Sequence, residues 1–249
     1  MHAMQLTDPF GYAKAMAVMA GYKKRWETQA YNVVGVEVEF RHRLINPDTG
    51  RPSPLYDVGG KIDAIAVDQQ GWYWVVEHKT SSLDFSPGSS YWKRLAVDRQ
   101  VGMYIEAGTH LGYDIAGCLY DVIGRPALKP YKAGKRRERD ETPGEYQERV
   151  AVDIEANPDK YYQRQVLYRT EAQRYRHRKE MWSAARKIRR DELAGYDTDR
   201  NSGSCTKWGS LCVYGAVCGD ELDIYDEDRF PRGQQHPELD GTNNQPKDS

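Results

Sequence analysis

The chain has 249 residues, 29% of them charged, and a formal net charge of −1, which allows one sizeable hydrophobic core with extensions and excludes a short disulfide scaffold. No apolar run approaches the roughly 18 to 20 residues that span a bilayer, and no basic and apolar leader opens the sequence, so a soluble cytoplasmic protein with no membrane partner is expected. The net charge averages two segments of opposite sign: residues 129–190 hold 18 Lys or Arg against 10 Asp or Glu, and residues 219–249 hold 9 acidic against 3 basic side chains. A basic middle is what a polyanion-binding surface requires, because each cation that neutralises a phosphate releases condensed counterions. A solvated helix face accounts for the same charges equally well.

Residues 10–31 set Ala, Met, Tyr and Trp at helical spacing with no proline after Pro9, and predict a helix. Residues 33–40, rich in β-branched side chains and glutamates, predict a strand. Three prolines and a glycine make 46–54 a loop. Two further strands are predicted at 58–67 and 72–79, separated by the turn signal Asp68-Gln69-Gln70-Gly71. A loop over 81–90 leads into a helix from about 91 to 107, and 113–123 reads as a buried strand. The charged segment 129–141 lacks an apolar period and predicts an exposed insertion. Helices are expected over 142–156 and 170–193, flanking a strand at 162–169. After the cysteine segment at 205–218, the acidic tail has too few apolar residues to offset the entropy of ordering and is expected to be disordered.

The hairpin at 58–79 concentrates the chemistry. If Gln69, Gln70 and Gly71 form a three-residue loop with glycine in the left-handed position, Asp68 faces Trp72 across the pair. Asp63 then lies opposite Glu77, and Lys79 projects from the same face because side chains alternate along a strand. A loop longer by one residue would slip the register and send Asp63 to the other face. Ile65, Val67, Tyr73 and Val75 share the face of the carboxylates, while Ile62, Ala64, Ala66, Trp74 and Val76 occupy the other, so both faces are expected to be buried. Charges at the end of a buried stripe are costly unless paired or bound to metal. Two carboxylates and a backbone carbonyl such as that of His78 supply the oxygen ligands that Mg²⁺ takes. A lysine beside that cation could orient the attacking water for phosphodiester hydrolysis.

These residues resemble a known family, the PD-(D/E)XK nucleases, and specifically their RecB-like exonuclease branch. Val36-Glu37-Val38-Glu39-Phe40, Gly60-Lys61-Ile62-Asp63 and Val76-Glu77-His78-Lys79-Thr80 look like that branch's successive core strands, in order and spacing. Gln100 and Tyr104 match its Gln-x-x-x-Tyr signature on a helix, where an i, i+4 pair shares a face. The resemblance covers residues 30–125 strongly and 200–218 weakly. It implies an α/β fold with a restriction-endonuclease-like core, a mixed central sheet flanked by helices. It implies Mg²⁺ or Mn²⁺ held by Asp63, Glu77 and His78, water activated by Lys79, and Gln100 and Tyr104 lining the site or contacting DNA. Glu37 matches the early strand glutamate, with Glu39 as a competing candidate. DNA is the implied substrate, with a helicase or recombination protein as an implied partner, in cellular or phage DNA processing.

Cys205, Cys212 and Cys218 have six and five residues between them, with glycines at 203, 209, 215 and 219 that would let the backbone wrap an ion or cluster. Some RecB-like nucleases resemble this layout and hold an iron–sulfur cluster, and zinc is the other metal that thiolates suit. Three thiolates fall short of a closed site, and reduced structural thiols are the competing reading. Cys118, in a presumed core strand, reads as a small buried apolar residue. The expected organisation is a nuclease domain at 1–200 with a charged insertion at about 125–160, a cysteine-bearing segment at 201–219 and an acidic tail at 220–249. The expected function is a metal-dependent deoxyribonuclease acting from an end. An endonuclease or junction resolvase on the same core, and a nucleic-acid-binding protein without activity, are the alternatives.

Overall fold

In the computed structural model, residues 7–28, 31–134, 138–195, 200–207 and 209–233 are described. The first helix, α1 (Pro9–Trp26), starts where the Asp8 carboxylate accepts the Gly11 amide at 2.8 Å and Pro9 takes the first turn, where its missing donor costs nothing. Five strands follow in chain order: β1 (Asn32–Ile45), β2 (Pro52–Val67), β3 (Tyr73–Ser81), β4 (Ile115–Gly124) and β5 (Tyr162–Leu167). They form one sheet in the order β1-β2-β3-β4-β5. The β2/β3 and β4/β5 pairs are antiparallel and β3/β4 is parallel, so the sheet is mixed and the chain is an α/β protein.

The parallel pair needs a crossover, which is built from α2 (Ser90–Arg94), a 3-10 turn at Leu95–Val97 and α3 (Arg99–His110). A single helix was expected over 91–107, and the structure breaks it at Asp98. That residue is extended, and its carboxylate accepts the amides of Gln100 and Val101 at 2.9 and 3.2 Å, which starts α3 as a separate helix. The other elements lie near their expected places, although β1 and β2 run longer than predicted. Pro52 opens β2, a position where a residue without an amide donor is tolerated. The helix α4 (Pro143–Ala156) carries a full capping box between Thr142 and Glu145. It is followed by the single turn α5 (Pro158–Tyr161), the long α6 (Glu171–Ala194) and the short α7 (Gly215–Cys218).

Among the described residues, one compact unit comprises the chain up to His42 together with Gly59–His177, and the other comprises Arg43–Val58 and the described chain from Arg178 onward. In the first unit the sheet is covered on both faces along β3, β4 and the end of β2, while Val33, Val34 and Val36 of β1 are exposed. Ile65, Val75, Cys118 and Tyr120 are buried on the face under α2 and α3, where the rings of Trp92 and Tyr120 meet edge to face. Gly108 lets α3 approach closely, since a Cβ there would stand 2.7 Å from Ile115 and 3.3 Å from Val75. On the other face Ala64, Ala66, Trp74, Val76 and Leu119 form one cluster. Ala13 and Ala17 of α1 pack with Tyr146, Val150 and Ile154 of α4 in a second.

The 129–141 segment is anchored as well as exposed. Glu141 is buried, bridges to the Tyr131 amide and pairs with Arg149. Residues 135–137, part of the basic run, and the end of the tail from 234 onward lie outside the described residues. Among the described residues, no helix is long and apolar enough to cross a membrane.

Candidate active site

The turn between β2 and β3 sets the geometry. Gly71 has φ of +87°, the left-handed conformation, and the Asp68 carboxylate accepts the amides of Gln70 and Trp72, both at 2.9 Å. The ladder runs Val67↔Tyr73, Ala66↔Trp74, Ile65↔Val75 and Ala64↔Val76, the register of a three-residue loop. One step further the ladder gives way to a side chain: Asp63 Oδ2 accepts the His78 amide at 2.8 Å. Glu77 and Lys79, two residues apart on β3, share a face, and the Lys79 ammonium forms an ion pair with Glu77 Oε1.

Glu77 is the unusual member. Only 1% of its side chain is exposed, against 38% for Asp63 and 37% for Lys79. Among the described residues neither carboxylate oxygen receives a well-directed hydrogen bond, the Lys79 contact being ionic. Burial pushes the Glu77 carboxyl up, and the Lys79 charge that opposes this does not cancel it, because Asp63 and Asp98 add negative potential. For Lys79, burial acts downward, but the close Glu77 carboxylate outweighs it and holds the ammonium above its usual value. Tyr104 is likewise raised, first by burial and then by Glu77 and Asp63. Burial is the largest cause for Glu77 and Tyr104, and the neighbouring carboxylates add to it. Asp63, Glu77 and the intervening His78 carbonyl are donors of the kind a hard divalent cation takes. The buried carboxylate of Glu77, faced by the single ammonium of Lys79 and without a well-directed hydrogen bond, is the observation that fits such an ion.

Gln100 and Tyr104 are brought together on α3, with Gln100 Nε2 donating to the Tyr104 hydroxyl at 2.9 Å. Tyr104 is buried and lies within the field of Asp63, Glu77 and Lys79. Glu37 is placed differently. Its side chain is exposed and pairs with Lys61 at 2.7 Å, and its φ of +50° marks an irregular point in β1. Cys118 is buried in β4, and Cys205, Cys212 and Cys218 are free thiols, Cys212 donating its amide to the Cys205 carbonyl at 2.8 Å. Among the described residues, no three His, Cys, Asp or Glu side chains gather as a ligand set.

Two features escaped the sequence reading. Asp98 contributes to the potential at Glu77 from the start of α3. Behind the site, on the opposite face of the sheet, Asp121 of β4 is fully buried, with Arg164 Nε at 2.9 Å and the Tyr22 hydroxyl at 2.6 Å from its Oδ2. A lone aspartate within the apolar run of β4 was the available signal. Its partners on α1 and β5 had none.

No family model matches the chain, and no curated protein matches it. A solved structure titled "Crystal structure of SSO0001" is similar at 16% identity, covering 88% of this chain and 75% of its own, with a TM-score of 0.36. A likeness that weak carries no argument about fold or activity.

Proposed function

We propose that the chain is a metal-dependent DNA nuclease of the PD-(D/E)XK kind with a restriction-endonuclease-like core, RecB-like in its motifs and cutting from an end. The observation that supports this most is Glu77: a buried carboxylate without a directed hydrogen bond, paired with Lys79 and lying in the negative field of Asp63. Burying such a group costs several kcal/mol unless something compensates; Lys79 offsets part of that cost, and Mg²⁺ or Mn²⁺ held by Asp63, Glu77 and the His78 carbonyl would offset the rest. The ion would polarise the scissile phosphate and acidify a bound water. Lys79 orients that water and stabilises the charge that grows on the phosphate oxygens. Gln100 and the buried Tyr104, held together on α3, line the site.

Incubation with end-labelled linear DNA and with closed circular DNA, with and without Mg²⁺, tests the reading. Nucleotides released from linear DNA alone, and only with Mg²⁺, support an end-dependent nuclease. Cutting of the circle assigns an endonuclease or resolvase on the same core, and a mobility shift without product leaves a binding protein.

Within the basic segment 129–190, cations near its start are paired. Lys132 pairs with Asp140 at 3.0 Å, Arg139 with Glu145 at 2.7 Å and Arg149 with Glu141 at 2.8 Å, so their charges are already met. On α6, eight Lys or Arg stand against four Asp or Glu. Arg186 and Lys187 there are exposed and have no carboxylate partner among the described residues. Replacing both by Gln is expected to weaken DNA binding and to flatten the slope of log K against log salt by about 1.8 on duplex DNA. An unchanged slope would assign these side chains to a solvated face.

A further inference from the structure

Position 78 of β3 is held from two sides. Its amide is taken by Asp63 at 2.8 Å, and its ring points to the opposite face of the sheet, where Nε2 lies 3.4 Å from the Tyr22 hydroxyl and 3.9 Å from Asp121 Oδ2. The strand register aligns His78 with Asp121 and Asp121 with Arg164, so three strands contribute to one cluster directly behind Glu77 and Lys79. Tyr22 closes it from α1: its hydroxyl donates to Asp121 at 2.6 Å and accepts from Arg164 Nη2 at 2.9 Å. The Tyr22 proton being given to Asp121, the ring nitrogen is the donor in the contact with His78. The Trp26 ring covers the Arg164 guanidinium at 4.2 Å.

A buried ion pair of this kind seldom improves stability over apolar residues of the same size, so its presence in the centre of the sheet calls for another role. Neighbouring side chains on a strand point to opposite faces from one backbone. A rotation of β3 at residue 78 therefore swings Glu77 and Lys79 together and moves the His78 carbonyl between them. We propose that Tyr22, Asp121 and Arg164 are positioning residues: by holding His78 from behind the sheet they fix the orientation of the oxygen donors on its front. This rests on the reading of Asp63 and Glu77 as a divalent-cation site. Outer partners of metal ligands commonly change affinity 10- to 100-fold when removed.

Calorimetric titration of the DNA-free protein with Mn²⁺ alone, with thermal melting of the same samples, tests this. Tyr22→Phe keeps the ring that packs against Tyr162 and loses only the hydroxyl. It is expected to weaken Mn²⁺ binding about 10-fold while melting within a few degrees of the wild type. Asp121→Asn is expected to act in the same direction. His78→Ala, at a half-exposed position that tolerates truncation, covers the case in which neither buried variant folds, and is also expected to weaken the ion's binding. Mn²⁺ affinity within twofold of wild type in the folded variants would overturn the positioning role while leaving the cation site intact. A wild-type protein that binds no Mn²⁺ would overturn both.

Discussion

Lys79→Ala is expected to bind DNA with wild-type affinity and to cut it at least about 100-fold more slowly at saturating Mg²⁺. The ammonium stands against Glu77 at the half-exposed end of β3, so its removal leaves no cavity in the core. Its main contribution comes in the transition state, where the attacking water loses a proton and negative charge spreads over the phosphate oxygens, and a group used only there changes turnover more than binding. Losing a cation also leaves the site more negative, which does not weaken attraction for a divalent ion. Single-turnover cleavage and mobility shifts on the same preparation check the expectation. A folded Lys79→Ala that binds and cuts like the wild type would remove the proposed site.

Glu77→Gln is expected to abolish cleavage and yet to raise the melting temperature of the metal-free protein at neutral pH. The Glu77 carboxyl is raised above its ordinary 4.5 because burial disfavours the charged form. A group raised in the folded state contributes stability that is present below its unfolded value and is lost as pH rises through its folded value. The isosteric amide avoids that loss, and the Lys79 ammonium it leaves without a carboxylate is half-exposed and keeps contact with water. The advantage of Glu77→Gln should therefore be small below pH 4.5 and grow as pH rises through the folded value, at about 2–4 °C for each kcal/mol in a chain of this size. Saturating Mg²⁺ should reverse the order, since an ion that binds only the folded wild type adds about 2.7 kcal/mol at a hundred times its Kd. Thermal melts across pH, with and without Mg²⁺, decide this. A variant less stable than wild type at every pH without metal would contradict it.

The parts of the fold legible in the sequence were those set by local chemistry. Gly71 and the Asp68 carboxylate define the turn, the turn defines the register, and the register places Asp63 and Glu77 without reference to the rest of the chain. The capping box at Thr142 starts α4 where the sequence indicated. What was not legible depends on partners far along the chain. Apolar periodicity through 91–107 hides the break at Asp98, because a capping carboxylate resembles any surface aspartate until its amides are seen. Glu37 matches a motif by spacing, but a local kink of β1 turns it to Lys61. The charge of Arg139 counted toward a basic surface, although the adjacent Glu145, held down to about 2 by that same arginine, neutralises it. The Tyr22–Asp121–Arg164 cluster joins three elements separated by up to 142 residues, a distance at which no sequence period operates.

The most direct measurement is release of nucleotides from linear DNA by wild type and Asp63→Ala across a titration of Mg²⁺ and of Mn²⁺. Asp63 supplies one of the two carboxylates and sits at the half-exposed edge of the hairpin, so its loss should weaken the ion's binding without unfolding the chain. Wild type should cut with saturable dependence on either ion, and Asp63→Ala should need far more metal and recover part of its rate with Mn²⁺. Cleavage by wild type that persists in chelator, no cleavage under any metal, or an Asp63→Ala titration that overlays the wild type would each contradict a metal-dependent nuclease site at Asp63, Glu77 and Lys79.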